Sequence, residues 1–148
     1  MDKNYITNGI FGSVLPVLAI SGAAAATAKT TNTILVKIDG VISSIAAATL
    51  AVLTTALNVA ANSTAVIAVY VNAAGTATYA KSADVLNTAI ATNTIFPTTL
   101  TIPQEVPGKA LIGYVIVKCV GTAFTGGTTA LDAATFTFTF PDKQAVGL

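Results

Sequence analysis

The chain has 148 residues, 53% of them hydrophobic and only 9% charged, with seven basic and six acidic side chains and a net charge of +1. This length suits one domain, at most a domain with an arm, and is long enough for an apolar core without disulfide staples. There is no His and no Trp, and every basic residue is Lys. The commonest general base and metal ligand is therefore missing, which excludes a Ser–His–Asp or Cys–His engine. Without Arg there is no bidentate reading of phosphate or guanine, and a balance of +1 argues against electrostatic binding of nucleic acid. We expect no catalytic residue, no cofactor and no metal. A charge fraction far below the usual ~25%, with a mean hydropathy of +0.76, suits an assembly subunit better than a lone soluble monomer.

Along the chain, residues 1–31 read as an extended apolar N-terminal arm and residues 32–148 as a β-domain. Ile6, Ile10, Phe11, Val14, Leu15, Val17, Leu18 and Ile20 are the arm's candidate interface residues, since such an apolar surface left unpaired marks an interaction site. The stretch Ile10–Ile20, followed by Ala24-Ala25-Ala26, mimics a secretory signal. Asp2 and Lys3 cancel in its leader, however, and Gly12 and Pro16 interrupt its apolar core. The uninterrupted part is also shorter than the ~20 residues of a membrane span. An ordered arm, packed on its own domain or on a neighbour, is the preferred reading, and no membrane partner is expected.

Thr33–Ile38 reads as a strand, Asp39-Gly40 as a type I′ turn and Val41–Ile45 as the returning strand, because Asp and Gly tolerate the positive φ that this turn requires. Residues 46–61 are ambiguous. Leu50, Leu53 and Leu57 fall at helical spacing, but Thr49, Thr54, Thr55 and Val59 favour strand, so strand and loop are expected. Thr64–Asn72 and Thr76–Ala80, joined by Ala74-Gly75, form a second hairpin, and a short helical turn is expected at Ala83–Ala89. Ile102–Gly108, with Pro103 and Pro107, reads as an extended connection. Lys109–Val120 is a long strand. Thr135–Phe140 alternates Thr with Phe136, Phe138 and Phe140, as a strand with one buried face does. The predicted class is mainly β, an antiparallel sandwich or barrel-like domain with an arm.

Few residues invite chemistry. Thr125-Gly126-Gly127-Thr128-Thr129 lacks the Lys of a phosphate loop and reads as a surface turn. Asp39, Asp84, Asp132 and Asp142 are scattered near turns, where Asp is common. Asn62-Ser63-Thr64 fits a glycosylation acceptor but is expected as a plain turn, and the single Cys119 as a small buried hydrophobe.

In the second half, Val106-Pro107-Gly108-Lys109-Ala110-Leu111-Ile112-Gly113 leads into a strand, and Ala123-Phe124-Thr125-Gly126-Gly127-Thr128-Thr129-Ala130-Leu131-Asp132 follows it. With the Ile38-Asp39-Gly40 and Val69–Gly75 hairpins, these segments resemble small structural proteins of tailed-bacteriophage virions. The likeness covers about two-thirds of the chain and leaves out the arm. It implies a non-enzymatic, β-rich, oligomeric protein of the virion, commonly a decoration (cement) protein on the capsid surface. The partners it implies are the major capsid protein and sister subunits, with a homotrimer favoured. A tail or fibre component for structure or host attachment is the alternative it leaves open, and a secreted, pilus-like surface subunit is a second.

Overall fold

The computed structural model describes residues 8–11, 16–48, 57–90, 100–101, 103, 106–133 and 136–139, the last four by backbone alone. They form a mainly β architecture of antiparallel sheets. In chain order the strands are β1 (Gly9–Ile10), β2 (Leu18–Ile20), β3 (Ala28–Thr30), β4 (Ile34–Ile38), β5 (Val41–Ile45), β6 (Ser63–Val71), β7 (Ala77–Lys81), β8 (Val85–Leu86), β9 (Ala110–Cys119) and β10 (Phe136–Thr139). A three-stranded sheet runs β1-β4-β5, a larger one runs β10-β9-β6-β7 with β8 also on β6, and β2 pairs with β3. Among the described residues no helix is long and apolar enough to cross a membrane.

The centre of the larger sheet is β6. All nine of its residues are buried, as expected for a β-branched run covered on both faces. Ala65, Ile67, Val69 and Val71 point to one side and join Ile34, Val36 and Ile38 of β4 in a single apolar core, so the two sheets share it. Val66, on the other side, packs with Ile116 and Leu100 in a smaller cluster, and the Tyr70 hydroxyl donates to the Pro103 carbonyl at 2.6 Å. Strand β9 keeps its apolar residues on the main core by a bulge. Val69 lies opposite Gly113 but Tyr70 opposite Leu111, leaving Ile112 as the extra residue. Before the bulge the core takes Ala110 and Ile112; after it, Val115, Val117 and Cys119. One inserted residue thus moves the alternation from even to odd positions.

Local chemistry sets the connections. At the β4–β5 turn Asp39 and Gly40 have φ of 49° and 85°, the conformation that a two-residue hairpin of this hand demands. The β6–β7 loop is organised by Asn72, whose Oδ1 accepts the N–H groups of Ala74 and Thr76, while Gly75 takes a φ of 81°. Strands β7 and β8 lie end to end along β6. At the gap between them the Ser82 N–H donates to the Val66 carbonyl, and the Val66 N–H donates to Ser82 Oγ, both at 2.9 Å. The hydroxyl replaces the backbone acceptor lost at the break.

Two local expectations are corrected. The helical turn expected at Ala83–Ala89 is strand β8 followed by a single 3₁₀ turn at Asn87–Ala89, because Val85 and Leu86 have a free edge of β6 to pair with. The connection expected to be extended through Gly108 instead ends in a turn. The Lys109 N–H donates to the Val106 carbonyl at 3.2 Å and Gly108 has a φ of 72°, as Pro107-Gly108 at the centre of a type II turn allows. Residues 49–56, half of the ambiguous stretch, lie outside the described residues.

Candidate interaction surface

The alternation of β4 sends Ile34, Val36 and Ile38 inward and turns Leu35 and Lys37 outward. Antiparallel pairing carries that outward face across the small sheet. Leu35 lies opposite Ser44 and Lys37 opposite Ile42 on β5. On the other edge, Ile10 lies opposite Val36, and the Phe11 N–H donates to the Leu35 carbonyl at 2.8 Å. Residues opposite one another share a face, so Phe11, Leu35 and Ile42 lie together on the outside, with 45%, 41% and 48% of their surface exposed. Val41, at the hairpin end, and Val17, before β2, are further exposed aliphatic side chains. Lys37 is the one charged group on the three strands of this sheet.

The eight arm residues separate into distinct fates. Ile6, Val14 and Leu15 lie outside the described residues. Ile10 is half-buried in β1, paired to β4. Leu18 is a member of the chain's own core and Ile20, partly buried, packs against it. Phe11 and Val17 are exposed. Residues before and after position 31 are hydrogen-bonded to each other: β1 joins β4, and the Thr30 N–H donates to the Ala48 carbonyl at 2.9 Å. Leu35 and Ile42 were not anticipated as surface residues. The unbroken run Ile34-Leu35-Val36 hides the alternation, and only Lys37 signals which phase faces water.

A cleft of about 320 Å³ opens between Thr30, Ser44 to Ala48 and the β6–β7 loop, lined by Thr30, Ser44, Ile45, Val71 and Gly75 among others, with hydroxyls as its only side-chain polar groups. It offers no titratable side chain for chemistry.

The aspartates act as fasteners. Asp84 Oδ2 accepts the Ala60 N–H at 2.9 Å while its other oxygen pairs with Lys81. Asp132 Oδ2 accepts the Ala24 N–H at 2.8 Å, tying residues 108 positions apart. Asp39 engages Asn8, and Asp142 lies outside the described residues. Among the described residues no group of three or more His, Cys, Asp or Glu gathers as a metal site would require. The Thr125–Thr129 loop is closed by its own bonds, with the Gly126 N–H donating to Asn58 Oδ1 at 2.9 Å. Asn62 accepts the Gly121 N–H through its side chain, and Ser63 and Thr64 are buried in β6. Cys119 is buried, and desolvation raises its thiol pKa. Phe136 and Phe138 fall in β10, opposite Cys119 and Val117 of β9; Phe140 lies outside the described residues.

No protein-family model, no curated protein and no solved structure matches this chain.

Proposed function

We propose that the chain is a structural virion protein, a capsid decoration or cement subunit that binds and stabilises an assembled phage head without enzymatic activity. The observation that carries this reading is the outward apolar face of the small sheet, Phe11, Leu35 and Ile42, on a chain with so few charges. Apolar surface of this kind is characteristic of a contact site. The resemblance of the two hairpins and the second half to tailed-phage structural proteins supplies the kind of contact, with the major capsid protein and with sister subunits, a trimer favoured. The action is mass action. A protein that binds the closed lattice but not free coat subunits shifts the equilibrium toward the closed shell.

The test is capsid occupancy. Covering each half-exposed side chain contributes about 1 kcal/mol, so Phe11→Ser, Leu35→Ser and Ile42→Ser together should lower affinity for capsids by roughly a hundredfold. The variant should stay folded with a cooperative unfolding transition, because about half of each side chain already faces water. Unchanged occupancy would remove this face as the contact. Immunogold labelling of virions that lights the tail and not the head would move the protein to the fibre reading.

A further inference from the structure

Of the eight asparagines, Asn8 alone is followed by glycine, and of the aspartates Asp39 alone is followed by glycine. The fold brings these two dipeptides together. The Asp39 N–H donates to Asn8 Oδ1 at 2.7 Å, and Asn8 Nδ2 donates to Asp39 Oδ1 at 3.2 Å. This reciprocal clasp holds the start of β1 against the β4–β5 turn, 31 residues further along the chain.

We propose that Asn8 is a site of spontaneous deamidation whose product breaks this clasp and releases β1. The chemistry needs only water. The Gly9 nitrogen attacks the Asn8 side-chain carbonyl carbon; the new N–C bond replaces the bond to Nδ2, and ammonia leaves with the peptide proton. Water then opens the cyclic imide at either carbonyl to give aspartate or isoaspartate. Glycine favours the attack because it has no Cβ to obstruct the approach.

The structure controls both the rate and the consequence. The Phe11 N–H donates to the Leu35 carbonyl, which makes this a hydrogen-bonded position of the antiparallel ladder, and such positions alternate along it. The next such pair is Gly9 with Lys37, so the attacking nitrogen is held in the ladder while β1 stays docked. Deamidation therefore proceeds through openings of β1. Its product lacks the Nδ2 donor and sets a carboxylate against that of Asp39, where like charges repel. Isoaspartate also adds a methylene to the backbone, displacing Gly9 and Ile10 from register with Lys37 and Val36. Strand β1 has two residues, too few to absorb that shift.

Two measurements test this. Full-length folded protein is held in mildly alkaline buffer beside the same protein in urea, and deamidation is mapped by peptide mass spectrometry. Asn8 should be the leading site in the folded chain and convert more slowly there than in urea. An intact Asn8 after the urea sample has converted, or equal rates in the two, would overturn the proposal. Amide exchange is then read in freshly purified Asn8→Asp protein. Exchange at Phe11 should rise roughly two- to tenfold, the loss of one modest hydrogen bond, with β6 unchanged. The exchanged pair, Asn8→Asp with Asp39→Asn, should restore it. Wild-type exchange at Phe11 in the single variant would sink the coupling.

Discussion

At single positions the fold depends on backbone conformation and on hydrogen bonds that have no substitute. Gly40, at a φ of 85°, has open space where a Cβ would go, so a side chain there meets strain and not a clash. Gly40→Val should cost about 1–3 kcal/mol, read as a lower urea midpoint at an unchanged slope. Ser82→Ala removes the acceptor of the buried Val66 N–H and should cost about 1–3 kcal/mol, the desolvation of an orphaned donor. Tyr79 is pushed up to about 12 by burial, and its phenol is neutral in the folded chain where the unfolded chain ionises it. A pKa raised on folding contributes stability that is complete below the unfolded value. That contribution is lost as pH climbs from about 10 to about 12. Urea titrations across this range should show the wild type losing stability more steeply than Tyr79→Phe. The Cys119 thiol, raised by the same cause, should react with thiol reagents only after denaturant is added.

At the level of elements, the contrast between neighbouring residues of the N-terminal segment is informative. Leu18 in β2 is 6% exposed and belongs to the core, whereas Phe11, one residue past β1, faces solvent. Leu18→Ala should destabilise the protein by about 2–4 kcal/mol. Phe11→Ser, which removes a side chain only about half buried, should cost about 1 kcal/mol. Equilibrium unfolding of the two variants side by side checks both. The two hairpins and the long strand were readable because each advertises its own local physics: Asp39-Gly40 needs positive φ, Gly75 closes a loop that Asn72 organises, and β9 is largely apolar and rich in β-branched residues. Strand β8, in place of the first part of the expected helical turn, and the bulge at Ile112 were not readable. Whether Val85 and Leu86 extend as strand depends on a free edge of β6, and the bulge makes sense only against the register of Val69 and Tyr70.

For the whole molecule, two sheets enclose one core and leave an apolar face on the outside of the smaller sheet. Association through that face would be driven by burial of apolar surface and not by ion pairs. Sedimentation equilibrium should therefore show it little changed or strengthened between ~0.15 M and ~1 M salt, and weaker on cooling. Composition and local pattern determined the class: strand-forming β-branched residues, turn signals at short intervals and very few charges admit antiparallel sheets and disfavour a helical or charge-driven design. The destination of each apolar residue near the N-terminus was a different matter. Phe11, Leu18 and Ile20 are chemically alike, and their places in the chain do not distinguish an anchor from a core residue. Only the pairing of β1 with β4 and of β2 with β3 decided it, because burial is a property of what lies opposite a side chain in space, and those partners come from other segments of the chain.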